Sequence, residues 1–181
     1  MKFTQTPLDG NFIIDLEPHS DERGFFARYF CSDEFAAQGL NTVWVQINNS
    51  FSKTSGTMRG LHYQSQPHSE VKLVRCVAGA IWDVVVDMRQ GSQTLGQWFG
   101  KTLSVENRSM MYVPKGFAHG FVTLEPNTEI IYLVSEFYSP ESECTLLWND
   151  PELAIQWPFA PTVISDKDRN ASFYRDIIKT S

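Results

Sequence analysis

Short runs of β-branched and aromatic residues, broken by polar ones, recur along the chain and predict a protein built from β-strands. Turn-forming residues separate these runs at short intervals, as at residues 89–92 and 125–127. Gly79 alone separates two of the runs, and this spacing predicts a hairpin turn. The predicted strands are residues 11–15, 42–48, 71–77, 80–87, 98–104, 109–113, 120–124 and 129–136.

Helical signals are few. Ser32 can cap a helix whose first turn contains Asp33 and Glu34, and Gly39 suits its end. A second short helix is predicted near residues 172–178. Many short strands with little helix are typical of an all-β sandwich or barrel.

Composition favours one domain over residues 1–181, because 42% of the chain is hydrophobic and no repeat or linker-like run interrupts it. A net charge of -6 argues against a general affinity for nucleic acid or anionic membranes. It leaves room for one phosphorylated small molecule held by local cations. No segment has the character of a signal peptide or a membrane span, so a cytoplasmic location is expected.

The cysteines are few, odd in number and widely spaced, which predicts free thiols rather than a disulfide framework. They are Cys31, Cys76 and Cys144. No His, Asp or Glu cluster has the spacing of metal ligands, so we expect no metal site.

The segment MRGLHYQ at residues 58–64 contains the first candidate for chemistry. If Leu61 and Tyr63 face one side of a strand, His62 faces the other. Histidine titrates near neutral pH and is suited to accepting a proton. On its own, however, this pattern favours a structural histidine over a catalytic one.

Other candidates are equally open when each is taken alone. His119 lies between glycines, which indicates a close approach of the backbone either to another strand or to a ligand. Asp168 can orient a histidine, and Tyr132 can donate a proton or simply pack. Lys72 lies in a strand-like context, where a charge needs a partner: a diphosphate or a nearby carboxylate. These residues do not by themselves name a reaction.

Together, the segments resemble the dTDP-4-dehydrorhamnose 3,5-epimerase family of deoxysugar biosynthesis. The resemblance covers nearly the whole chain in order. It implies an all-β, cupin-type jelly-roll β-barrel with a few short helices, which acts as a homodimer without metal or organic cofactor. The matching stretches are residues 21–26, 46–48, 59–64, 72–75, 83–87, 116–121, 148–151 and 165–168.

The resemblance also implies a reaction on a sugar nucleotide. The substrate is a 4-keto-6-deoxyhexose linked to a nucleoside diphosphate, which is inverted at C3 and C5 by enolisation and reprotonation. His62 would be the base, Asp168 would hold its tautomer, and Lys72 would stabilise the enolate oxygen. Tyr132 would be the acid on the other face. The implied substrate-binding residues are Arg23, Arg28, Gln46, Asn48, Arg59, His119, Glu143 and Lys167.

Two departures from the family pattern leave the substrate open. Family members usually carry glutamate where this chain has Arg28, in a position associated with the nucleotide pocket. The residues before Lys72, Ser69-Glu70-Val71, also differ from the usual Gln-x-Gly-Lys-like sequence. A CDP- or GDP-linked sugar, and epimerisation at C5 or C3 alone, are therefore alternatives.

Two other function classes compete. One is a related 3,4-ketoisomerase, which moves a carbonyl between C3 and C4. The other is a sugar-binding jelly roll without catalysis. The combination of a base and an opposed acid argues against the second, because binding alone needs neither.

Overall fold

In a computed structural model, which describes residues 1–180, the chain forms two antiparallel β-sheets that are hydrogen-bonded separately and face each other. The six strands of the first sheet, in spatial order, are β1 (Lys2–Gln5), β2 (Phe12–Asp15), β10 (Met110–Val113), β7 (Lys72–Ala78), β12 (Thr128–Val134) and β5 (Gln46–Ser52). The five strands of the second are β13 (Glu143–Thr145), β6 (Met58–Gln64), β11 (Phe117–Thr123), β8 (Ala80–Asp87) and β9 (Trp98–Ser104).

The remaining elements are short. They are the hairpin of β3 (His19–Asp21) and β4 (Gly24–Phe26), the helices α1 (Ser32–Ala37), α2 (Asp166–Arg169) and α3 (Tyr174–Thr180), and the 3₁₀ turn Pro140–Ser142. The all-β prediction with a few short helices is confirmed, although the two sheets do not join into one continuous barrel.

Three apolar clusters hold the layers together. The central cluster lies between the sheets and takes Val74 and Ile130 from the first and Val85 and Phe121 from the second. The outer face of the first sheet is covered by the N-terminal segment, whose Phe35 is completely buried. The C-terminal segment covers the outer face of the second sheet. Because the sheets share one core, removal of apolar area from water stabilises them as a unit.

The predicted hairpin at Gly79 is wrong. β7 and β8 lie in different sheets, with β7 paired to β10 and β12, and β8 paired to β9 and β11. Gly79 has φ +70°, and a Cβ there would lie 2.4 Å from Oγ1 of Thr128. The glycine therefore allows a sharp corner at which the chain crosses from one sheet to the other.

Some boundaries also differ from prediction. The strand predicted over residues 42–48 begins at Gln46 and continues to Ser52. Trp44 lies before it and packs in the cluster on the outer face of the first sheet. Cys31, rather than Ser32, occupies the N-cap position of α1. The helix ends at Ala37, and Gly39 closes its end as predicted, with φ +71° and an N–H that donates to the carbonyl of Ala36.

The three cysteines are free thiols, as predicted. Within residues 1–180, no helix has the length and apolar character needed to cross a membrane.

Candidate active site

Two adjoining cavities open between the sheets, one of about 540 Å³ and one of about 270 Å³. Both are lined by His62 from the second sheet and by Lys72 and Tyr132 from the first. The three side chains therefore mark the junction of the two cavities. We refer to the two cavities together as the cleft.

β5 supplies polar groups to the cleft because its polar residues face the interior, where the apolar residues of a strand usually lie. Gln46, Asn48 and Ser50 face inward and line the cavities, whereas Ile47 and Phe51, on the opposite face of the strand, are exposed. The strand thus presents its polar face to the interior and its apolar face to the outside.

The direction of His62 follows from its neighbours on β6. Leu61 and Tyr63 pack in the cluster on the outer face of the second sheet, with the C-terminal segment. His62 faces the cleft, as predicted from the alternation. In register, His62 lies opposite His119 of β11 and Thr145 of β13. It is therefore fixed between two neighbouring strands.

Glycines bring β6 and β11 unusually close beside these histidines. A Cβ on Gly120 would lie 2.7 Å from the carbonyl oxygen of Arg59, and one on Gly60 would lie 2.5 Å from the Cα of Gly120. The glycines around His119 predicted a close approach of the backbone either to another strand or to a ligand. The close approach of Gly120 is to another strand, β6.

A short hydrogen bond joins His62 to Asp168. Nε2 of His62 lies 2.6 Å from Oδ1 of Asp168, and the N–H of Gly60 donates to Oδ2 at 3.4 Å. Since a carboxylate accepts, Nε2 carries the proton and Nδ1 is the ring nitrogen that can accept another. α2 positions Asp168, whose own N–H donates to the Oγ of Ser165 at 3.1 Å.

The electrostatics of Asp168 reflect this network. Burial acts to raise the pKa of the carboxyl, but the hydrogen bonds from His62 and Gly60 outweigh it and hold the pKa below its usual range. Asp168 is therefore ionised at neutral pH.

His119 has a carboxylate partner that sequence reasoning did not include among the site residues. Its Nε2 lies 2.7 Å from Oδ1 of Asp83, and both side chains are buried. The signal was present, because Asp83 stands in the middle of the apolar run of β8, where an ionised group requires a partner.

Two cations of the cleft, Lys72 and Lys167, each form an ion pair with a carboxylate. Nζ of Lys72 lies 3.1 Å from Oε1 of Glu70 and donates to the carbonyl oxygen of His62 at 3.4 Å. Nζ of Lys167 lies 2.5 Å from Oε1 of Glu143. For Lys72, which is on β7, the partner that a charge on a strand was predicted to need is a carboxylate.

Tyr132 remains protonated across the neutral range. Burial raises the pKa of its hydroxyl, the negative charge of Glu70 raises it further, and the positive charge of Arg59 partly opposes both. A proton acceptor and a proton donor thus stand on facing sheets, and Lys72 lines both cavities together with them. This arrangement can remove a proton from one face of a ligand and return one to the other.

The structure gathers most of the predicted site residues but not all. Besides those discussed, Arg59 lines the larger cavity and Glu143 the smaller. Arg23 and Arg28 line neither of them; Arg23 pairs with Asp21 in the β3–β4 turn, and Arg28 pairs with Glu34. Within residues 1–180, no group of three or more His, Cys, Asp or Glu is arranged to hold a metal ion.

Comparisons with known proteins agree with this architecture. The model of the family described as dTDP-4-dehydrorhamnose 3,5-epimerase matches residues 5–176. A dTDP-4-dehydrorhamnose 3,5-epimerase of Shigella flexneri is 42% identical over 97% of each chain. The crystal structure of one from Elizabethkingia anophelis NUHP1 is 42% identical, with a TM-score of 0.93 over 97% of each chain.

A third similar protein carries a ligand. It is a dTDP-6-deoxy-D-glucose-3,5-epimerase from Legionella pneumophila Philadelphia 1, in complex with dTDP-4-keto-L-rhamnose. It is 42% identical, with a TM-score of 0.90 over 96% of this chain and 93% of that one.

Replacing Asp168 by Asn should change the pH dependence of stability. Because the folded pKa lies below the ordinary value, the carboxylate stabilises the fold above about pH 4 and loses this effect as the pH falls through the folded pKa. We expect Asp168→Asn to lower the free energy of unfolding by about 1–3 kcal/mol at neutral pH. The deficit should shrink toward pH 3, as measured by urea unfolding.

Asp166→Asn is the matched control, since Asp166 is exposed in the same helix. It should have little effect at neutral pH. A deficit for Asp168→Asn that stays the same from pH 7 to pH 3 would contradict the assignment.

Proposed function

The chain belongs to the dTDP-4-dehydrorhamnose 3,5-epimerase family, and from that premise we propose that it converts dTDP-4-dehydro-6-deoxyglucose to dTDP-4-dehydrorhamnose by inverting C3 and C5. The protein is an isomerase. The observation that carries the proposal is the placement of His62 and Tyr132 on facing sheets of one cleft, with Lys72 at the same junction. One epimerase domain, residues 1–181, performs the reaction.

Proton removal is the first half of each inversion. The C4 ketone makes the hydrogens on C3 and C5 acidic, so the substrate itself supplies the electron sink. Nδ1 of His62 takes the proton, and the C–H electron pair becomes an enolate with its negative charge on the C4 oxygen. The Lys72 ammonium stabilises that oxygen, and Asp168 stabilises the imidazolium.

Proton return completes the inversion. Tyr132 donates its hydroxyl proton to the opposite face of the same carbon, and the enolate collapses to the ketone. The phenolate then regains a proton from solvent, and His62 releases one. Two such cycles invert C3 and C5.

The other residues of the cleft bind the substrate. Arg59 and Lys167 contact the diphosphate, because both line the larger cavity and carry the charge that phosphate requires. Lys167 exchanges its pair with Glu143 for the phosphate. The inward polar groups of β5, Gln46 and Asn48, hold the remainder of the sugar nucleotide together with His119 and Glu143.

The active form in this proposal is a homodimer. β5 is an edge strand of the first sheet, and Ile47 and Phe51 expose 69% and 54% of their surface on its outer face. An exposed apolar edge favours association with a second copy. Arg23 and Arg28 line neither cavity of their own chain, and in such a dimer we propose that they contact the nucleotide in the cleft of the partner.

The reaction takes place in the cytoplasm in this proposal. The three free thiols suit a reducing compartment, and the net negative charge makes association with anionic membranes unfavourable.

The decisive experiment supplies dTDP-, CDP- and GDP-linked 4-keto-6-deoxyhexoses in deuterated water and follows each by NMR. We expect deuterium at both C3 and C5 of the dTDP sugar, with the ketone remaining at C4. Deuterium at one carbon identifies a single-centre epimerase, and a ketone moved to C3 identifies a ketoisomerase. Binding without exchange identifies a sugar-binding module, and stronger exchange with CDP or GDP overturns the choice of nucleoside.

The two proton-transfer residues should differ in what they abolish. His62→Ala should slow deuterium uptake at C5 by about 10²–10⁴-fold, because it removes the group that takes the proton in the proposed reaction. Tyr132→Phe should reduce the yield of inverted product by a similar factor while His62 still removes protons. Both are measured by NMR against the wild type.

Matched controls separate these effects from general damage. His68→Ala and Tyr174→Phe alter residues that line neither cavity, and both should retain normal exchange and inversion. Near-normal uptake at C5 in His62→Ala would refute its role as the base.

The dimer is tested by placing a charge on the outer face of β5. Ile47→Lys should halve the mass measured by light scattering, from twice 20.7 kDa to 20.7 kDa, without reducing the stability of the protomer. It should also raise KM, because the partner's arginines are lost. Val105→Lys, at an exposed position in the turn after β9, is the control. A wild-type protein that is monomeric and fully active contradicts the proposal.

A further inference from the structure

Glu70 is a carboxylate inside the cleft to which the proposed reaction assigns no step. It lies two residues before Lys72, and only 12% of its side chain is exposed. It lines the smaller cavity with His62 and Tyr132. A carboxylate in this position is costly unless it is paired, and its partner is Lys72 at 3.1 Å.

The Lys72 ammonium has three hydrogens to donate and a flexible stem of four carbons. One hydrogen is directed at Glu70 and a second at the carbonyl oxygen of His62, 3.4 Å away. Two acceptors, one in the segment just before β7 and one on β6, thus restrict the ammonium, and one hydrogen remains for a ligand.

We propose that Glu70 is a positioning residue, which with the His62 carbonyl fixes the Lys72 ammonium so that its third hydrogen meets the C4 oxygen of the substrate. This inference rests on the proposed function. Glu70 itself contacts neither the enolate oxygen nor the proton in transfer.

Two effects of Glu70 oppose each other. Its negative charge weakens the attraction between Lys72 and the enolate, whereas its hydrogen bond keeps the ammonium in place. Glu70→Gln removes the charge and keeps an acceptor oxygen, and Glu70→Ala removes both. If positioning dominates, the alanine variant is much slower than the glutamine variant. If repulsion dominates, both are faster than the wild type.

A pH profile distinguishes this role from a structural one. The charged and titratable groups around the smaller cavity are His62 and Tyr63 on β6, Lys72 on β7, Tyr132 on β12, Glu143 on β13 and Tyr138 in the loop before it, with Arg59 nearby on β6. The pKa of Tyr132 is raised by burial first and by Glu70 second. Without Glu70 that pKa falls, so Tyr132 loses its proton at lower pH.

The test compares kcat, KM and the pH profile of inversion for the wild type, Glu70→Gln and Glu70→Ala. We expect kcat to fall about 10- to 100-fold in Glu70→Ala, as for a slight misplacement of a catalytic group, with KM nearly unchanged. Glu70→Gln should stay close to the wild type in kcat. In both variants the alkaline limb of the pH profile, where kcat falls as Tyr132 loses its proton, should move to lower pH.

The control is Glu106→Gln, which removes an exposed carboxylate in the turn after β9. It should leave kcat and the alkaline limb unchanged. Glu70→Gln keeps the shape of the side chain, so its alkaline limb remains a test if Glu70→Ala fails to fold. An unmoved limb in Glu70→Gln overturns the inference, and so do variants faster than the wild type.

Coupling to Lys72 supplies the last comparison. Because Glu70 acts through Lys72, Glu70→Ala should cost nothing further in a Lys72→Met background. Equal losses in both backgrounds overturn the inference. A wild-type protein that exchanges no proton with any sugar nucleotide overturns the proposed function instead, so the two failures are distinguishable.

Discussion

Ionised groups between two apolar sheets must be paired, and this requirement organises the cleft. Three carboxylates lie there largely out of water, and each has one basic partner: Asp168 with His62, Asp83 with His119, and Glu70 with Lys72. Two of these partners, His62 and Lys72, are the base and the enolate-stabilising cation of the proposed reaction. The pairing that makes burial tolerable therefore also sets the tautomers of the histidines and the position of the ammonium.

The pairs differ in how readily they can be exchanged for a ligand. Lys167 and Glu143 are 50% and 25% exposed, and an ion pair so close to water contributes little stability. In the proposed reaction, the diphosphate of the substrate therefore replaces Glu143 as the partner of Lys167 at small cost. The carboxylate of Asp168 is 6% exposed and receives two hydrogen bonds, so its pair with His62 persists. The exposed Lys167–Glu143 pair can thus be exchanged for a ligand, whereas the buried His62–Asp168 pair stays in place.

Much of this site is visible in the chain because strand alternation is local. Leu61 and Tyr63 on either side of His62 were enough to predict which way it faces, and the structure confirms it. The corner at Gly79 was predicted to be a hairpin. A glycine between two strands is compatible both with strands that pair with each other and with strands that enter different sheets. Arg28 lines neither cavity of its own chain, and its place in the family motif could not show this, since position in a motif does not specify position in space.

The sequence by itself determined the strand-rich character, the inward direction of His62 and, through resemblance, the family. Only the tertiary structure decided which groups meet: the pairing of His62 with Asp168, which is 106 residues away, and of His119 with Asp83. It also decided that Glu70 lies within the cleft. Alternation along a strand depends on neighbouring residues, whereas these contacts depend on which strands pack together, and that is set by the burial of the whole core.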